Sequence, residues 1–284
     1  MIYTQKFILK FIFLFSFAII YSQSNKSDSL RGNFTYLLKA KSNLITNNIY
    51  EELFSLQISD ERTFFISEQN LKFDSIFLVE FHHAILNSKS NDVDFRGKSF
   101  PKSSSNFMII QTNNNIQFYG MVGMQLFSYN DPIINDWKLI NESKTINSII
   151  CKKAEISFKG RDWIAWYSNE IPFPHGPYKF SGLPGLIIDI RDKKGDYSFE
   201  LVKSSQSSSL KGKIITIDKS RYEHSKLTTK KELENAKENF RKNYSNSLEN
   251  IGVQTTIEQK EDMRQRQKKD EILKKGYNPI ELSD

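Results

Sequence analysis

The chain has 284 residues, 38% of them hydrophobic and 26% charged, which places it among folded globular proteins and excludes a disordered or fibrous one. Its formal net charge is +7, but the basic residues crowd into the C-terminal quarter among Glu and Asp, with no recognition motif beside them, so no nucleic-acid partner is expected. The lone cysteine, Cys151, excludes an intramolecular disulfide and leaves the fold to rest on its core.

The chain opens MIYTQKFILKFIFLFSFAIIYSQS, in which Lys6 and Lys10 lead into an apolar core from Phe11 to Tyr21 and then small polar residues. This pattern predicts a signal peptide over residues 1–22, cleaved after Ser22 to leave Gln23 first. The apolar core falls short of the roughly 20 residues a membrane span needs, and no later segment is apolar enough to cross. Cys151 lies far from the leader, so no thiol is placed there for a lipid anchor. The expected product is exported and soluble, either periplasmic or associated with the cell envelope.

After the leader, "NFTYLLKAK", "IYEELFSLQIS" and "RTFFIS" are rich in β-branched and aromatic residues and read as antiparallel strands. In "SEQNLKFDSIFLVEFHHAILNSKS", Leu71, Phe73, Ile76, Phe77, Phe81, Ala84 and Ile85 recur at helical spacing behind a Ser67 cap, which predicts a helix laid on the sheet. Strands resume from Phe107 through "FMIIQT", "IQFYGMV", "MQLFSYN", "WKLINES", "IICKKAEISF", "DWIAWYS", "LIIDIRD", "YSFELVKSS" and "KIITID", with turn residues between them as in a meandering sheet. "VKSSQSSSLKGK" reads as a mobile hairpin loop. Two charged helices follow, each opening on a capping box: Thr229 with Glu232, and Thr255 with Glu258.

The predicted fold is therefore α+β and mainly antiparallel β: a curved meandering sheet, compatible with an open half-barrel, with one packed helix and a C-terminal helical tail. Residues 23–220 form the sheet domain with its inserted helix, and 221–284 the charged tail.

Three groups of residues are candidates for a site. In "GLPGLI", Gly182, Leu183, Pro184, Gly185, Leu186 and Ile187 read as a turn feeding a strand, since Pro-Gly suits a type II turn whose second residue needs positive φ. No Lys-Ser or Lys-Thr helix follows to hold a phosphate, so the loop is read as architecture. Trp163 and Tyr167 share one strand face and Trp166 the other, which suits either a ligand groove or core. Arg161 is read as neutralising an anionic ligand or pairing with Glu170 or Asp162. Cys151, in an alternating strand, is expected to be a small buried sulfur and not a nucleophile with His175. His82 and His83 are adjacent on a helix and cannot share a face as ligands. No metal or other cofactor is predicted.

Residues 136–201 resemble the GLPGLI family of exported Bacteroidetes proteins. The resemblance rests on "GLPGLI" at 182–187, "GR" at 160–161, "AWYSNEIP" at 165–172 and "GPYKF" at 176–180, in family order, and the ending "NPIELSD" is similar to the tails of family members. Where the family places a Gly-aromatic or Asn-aromatic pair before the cysteine strand, this chain has Ser148, Ile149 and Ile150. The resemblance implies an exported protein of uncharacterised activity. The first functional expectation is a non-enzymatic carrier that holds an apolar ligand or extended peptide on the concave face of the sheet, with Arg161, Trp163, Trp166 and Tyr167 as candidate contacts. The alternatives are an envelope-polymer hydrolase with unlocated carboxylates and a structural partner of an outer-membrane complex.

Overall fold

A computed structural model of the chain describes residues 28–46, 48–87, 97–205, 207–243 and 274–283, together with positions 261, 265, 268 and 271. The expected signal peptide and the expected Thr255–Glu258 capping box lie outside the described residues.

The protein is built on one curved, open sheet of 12 strands, mostly antiparallel, that does not close into a barrel. β1 (Gly32–Ala40), β2 (Tyr50–Ile58), β3 (Arg62–Ser67), β4 (Phe107–Thr112), β5 (Ile116–Val122) and β6 (Gln125–Asp131) form one meander. β7 (Lys138–Ile146), β8 (Ile149–Phe158), β9 (Arg161–Ser168), β10 (Leu186–Asp192) and β11 (Tyr197–Ser204) form a second. The meanders join where β1 pairs with β11, and two-residue β12 (Lys226–Leu227) extends the far edge parallel to β6.

Strand alternation sets the core. Phe34, Leu56, Phe65, Ile109, Phe118 and Tyr129 stand opposite one another from β1 through β6 and point to one face. Phe64, Ile66, Met108, Ile110 and Tyr119 point to the other, where Ile215, Ile217 and Tyr222 cover them. That double burial explains why "RTFFIS" does not alternate with polar residues.

The covering segment was expected to be the strand "KIITID". Only Ile214 makes a bridge, with Ser29. The Gln57 amide bonds both the backbone and the hydroxyl of Thr216, so the segment lies across the sheet and drops Ile215 and Ile217 onto the second face. The expected hairpin loop holds a helical turn, α2 (Ser207–Leu210).

Two helices show how far local signals carry. α1 (Glu68–Asn87) follows β3 directly, but only its first turns meet the sheet, at β2 and β3, so it is not laid along the sheet as expected. α3 (Lys230–Lys242) starts on the predicted box, with Thr229 Oγ1 accepting from the Glu232 backbone and Glu232 accepting from that of Thr229. Its Leu233 is fully buried against the β5–β6 end. Residues 226–227 add β12, and the chain returns to the sheet at residues 277–282.

Candidate functional site

The connection between β9 and β10, residues 169–185, carries the sequence motifs and lies on the main core face. Phe173 meets Phe34 of β1 at 5.7 Å, Tyr178 meets Phe107 of β4 and Phe199 of β11 at 5.8 and 6.4 Å, and Phe180 meets Trp163 of β9 at 4.7 Å. One loop thus bridges both meanders with its own aromatic rings. Tyr36 of β1 donates to the Ile187 carbonyl at 2.6 Å, and Trp137 donates to that of Ser181 at 2.8 Å. Gly185 sits at φ 147°, where an added Cβ would lie 2.0 Å from the Ser168 carbonyl oxygen, so only glycine lets the chain turn there. Gly182, at φ 89°, similarly backs onto the Ile134 carbonyl.

The same block grips the C-terminal segment. Arg161 is 4% exposed and donates to Asp192 at 2.8 Å, to Asn278 Oδ1 at 2.5 Å, and to the carbonyls of Pro279 and Ile280. Tyr197 OH donates to the Asn278 carbonyl, and the Asn278 amide donates to that of Lys41. Lys179, fully buried, lies 2.5 Å from both Asp131 and Glu281. Lys159 flanks Asp131 at 3.2 Å and Lys230 flanks Glu281 at 3.0 Å, so charges alternate along a five-residue row. Burial pushes the Asp131 and Glu281 carboxyls up, but Lys179, with Lys159 beside Asp131 and Tyr178 and Lys230 beside Glu281, together hold both below the ordinary carboxylate range. Burial and the neighbouring Glu281 push the Tyr178 phenol well up, so it stays neutral and donates to Glu281 at 2.7 Å.

Of the candidate contacts, Arg161, Trp163 and Tyr167 are brought together inside this packing. Trp163 and Tyr167 face the core, buried with Ala165 between them, while Trp166 is half-buried on the opposite face under the Lys144 ammonium at 4.1 Å. Arg161 does form ion pairs, with Asp192 and Asp196 in place of the expected Glu170 or Asp162. Cys151 is fully buried with its Sγ 3.4 Å from the Ile149 carbonyl, and burial pushes its thiol up. No group of three His, Cys, Asp or Glu side chains among the described residues is arranged for a metal. Lys179 stands in "GPYKF" and Glu281 in "NPIELSD", and no local pattern connects them.

α1 is partly covered and partly open. Past its first turns, Phe73, Phe77 and Phe81 stack in succession at 5.6 and 5.7 Å, and Phe100 from the returning chain tilts over the first two. Lys98 pairs with Glu80 at 2.5 Å, and Arg221 pairs with Asp74. The remaining apolar side chains stand away from these contacts: Leu78 is 55% exposed and Leu86 69%, with Val79 and Ile85 also open. No helix among the described residues is long and apolar enough to cross a membrane.

A family model described as a protein of unknown function (Porph_ging) matches residues 158–189, the block that holds Arg161, Lys179 and the glycine turn. Among solved structures, the chain is similar to "Structure of PNGF-II in P21 space group" at 14% identity and a TM-score of 0.50, over 74% of this chain and 33% of that one. The C2 crystal form of PNGF-II gives 13% identity and a TM-score of 0.49 over the same shares. The chain thus spans about a third of the solved protein's length, and at such identity the likeness concerns the fold alone. No curated protein matches the chain.

Proposed function

We propose that the chain is an exported, non-enzymatic binding module of the GLPGLI family of Bacteroidetes proteins, and that α1 holds an apolar segment of another envelope polypeptide. The family reading is supported by motifs that fall in the block matched by the family model. Export is supported by the Lys-flanked apolar leader.

The observation that carries the binding reading is a mismatch between α1 and its surroundings. Its apolar residues are spread around the helix and not gathered on one stripe, the pattern of a helix covered on all sides, yet Leu78, Val79, Ile85 and Leu86 face solvent. The main core face, by contrast, is packed with the chain's own Tyr178, Phe180 and Leu183, whereas the outer side of α1 is open. The charges of α1 favour a polypeptide over a lipid surface. They are Glu68, Asp74 and Glu80 against Lys72, whereas helices that lie on membranes carry a basic polar face.

The test is a photo-reactive amino acid placed at Leu78 or Leu86 of the full chain in its native cells, with Leu139 on β7 as an exposed control. A discrete adduct with another polypeptide from the α1 positions only is expected. Lipid adducts, an adduct with a second copy of this chain, or equal labelling at Leu139 would overturn the reading.

A further inference from the structure

Residues 277–283 form no helix or strand of their own beyond a single bridge from Tyr277 to Asn43, yet Asn278 and Glu281 are buried. The wall that receives them meets backbone and side chains alike. The backbone N–H of Asn278 donates to the Ser42 carbonyl and that of Leu282 to the Lys159 carbonyl, each at 2.8 Å, and the Asn278 side-chain amide donates to the Lys41 carbonyl at 2.8 Å. Ile280 packs against the main core, whereas Tyr277 and Leu282 are exposed, so directed polar contacts hold the segment more than apolar burial does.

Both buried cations of the wall divide their donors between the sheet and this segment. Arg161 Nη1 serves Asp192 at 2.8 Å and Asp196 at 3.2 Å, while Nη2 and Nε serve the Asn278 amide oxygen and the carbonyls of Pro279 and Ile280. Lys179 Nζ holds Asp131 at 2.5 Å and the Tyr129 hydroxyl at 3.1 Å, and turns its remaining donor to Glu281. With the segment out, each cation keeps a carboxylate of the sheet, Asp192 for Arg161 and Asp131 for Lys179. Neither is left as the unpaired buried charge that makes a broken pair costly. The groove is therefore charged and shaped before the segment enters it. Main-chain hydrogen bonds that give affinity, with side-chain pockets that give specificity, are how proteins hold a separate peptide. We infer that this groove is a preorganised peptide receptor whose ligand is carried by the same chain, with Asn278 and Glu281 as the residues it selects, and that the same sequence supplied in trans takes its place. A receptor filled in cis is closed to competitors by the high effective concentration of its own ligand, so it opens where that segment is weakened.

The test is fluorescence anisotropy with a labelled peptide of residues 276–283. It is titrated with the full chain and with a full chain that carries Asn278→Ala and Glu281→Ala in its own segment, the fold of each being checked by near-UV circular dichroism. The peptide is expected to bind the variant, and to bind the parent about tenfold more weakly or worse, because the parent's own segment competes. A peptide with Glu281→Ala should bind the variant about tenfold less tightly than the native sequence, since it lacks the charged acceptor for Lys179. If the variant does not fold, a parent chain with a protease site inserted between Gly252 and Val253, cut after folding, carries the test by exchanging its segment for the labelled peptide. No binding to a folded variant, equal binding to variant and parent, or equal binding of the two peptides would overturn the proposal. So would a cut chain that keeps its segment against excess peptide, or that unfolds when the segment leaves.

Discussion

Lys179 reaches across 102 positions of sequence to place its ammonium 2.5 Å from the Glu281 carboxylate, with no solvent on the lysine side chain. The pair fastens the C-terminal segment to the motif block. Lys179→Met would leave Asp131 and Glu281 facing an apolar side chain, with only the flanking Lys159 and Lys230 to compensate. We expect a loss of about 3–5 kcal/mol in urea unfolding. Glu281→Gln, which retains an acceptor for Tyr178 and Lys179, should cost less. Equal stability of Lys179→Met and the parent would show that the row contributes nothing to the fold.

The row also gives the fold an acid limit. Asp131 and Glu281 have ordinary values of 3.8 and 4.5, and Lys179 with the other donors around them holds them lower in the folded chain despite their burial. A depressed carboxyl stabilises the fold above its unfolded value and gives that up as pH falls through the folded one. Cleavage near residue 277 in limited proteolysis should therefore appear only below the ordinary carboxylate range. Release of the segment near neutral pH would contradict this.

His175 adds an earlier phase. Burial lowers its imidazole from 6.5 to about 4, and its buried Nδ1 has no partner among the described residues. The unfolded chain therefore takes up a proton first, and stability falls as pH drops from 6.5 toward 4. Between neutrality and pH 5 this amounts to about 2 kcal/mol. His175→Leu keeps the backbone bonds at this position and cannot titrate, so its Tm should change little over that range. A parallel decline in both proteins would assign the effect elsewhere.

The glycine turn can be tested against an internal control. Gly185→Ala would strain φ at 147° and press a methyl group onto the Ser168 carbonyl, and should cost about 2–4 kcal/mol. Gly195, at φ 75°, has no atom within 4 Å of an added Cβ. Gly195→Ala should therefore lose only about 1 kcal/mol, from the backbone alone. Similar losses in the two variants would mean that the loop shifts to admit the methyl group.

What the sequence disclosed follows the range of the forces involved. Strands β3, β4, β5, β8 and β10 coincide with the segments read from residue type, and the Thr229–Glu232 cap with its motif, because neighbours within a few residues decide them. Arg161 was legible as an ion-pairing residue, but its partners were not: pairing of β9 with β10 sets Trp163 opposite Asp192 and so brings that carboxylate to Arg161. Lys179 offered less still. In "GPYKF" it reads as a turn lysine, and only the folded sheet gathers Asp131 and Glu281 around it. The hint present was a cation set between Tyr178 and Phe180 in an otherwise apolar motif. α1 was legible as a helix, whereas its departure from the sheet was not, since helical spacing does not say what the helix packs against.

That departure supplies the last prediction. If Leu78 and Leu86 serve a partner and not the fold, replacing them with Glu should change the stability of the isolated protein by no more than about 0.5 kcal/mol, as at other exposed positions. Phe77 is the counterpart inside the helix's own packing. It stacks between Phe73 and Phe81 and touches Phe100, so Phe77→Ala should cost about 1–3 kcal/mol for a half-buried ring. Urea unfolding of the three variants separates the roles. A large loss from Leu78→Glu or Leu86→Glu would mean that the outer side of α1 is already covered by this chain, and that the helix is not free to receive another.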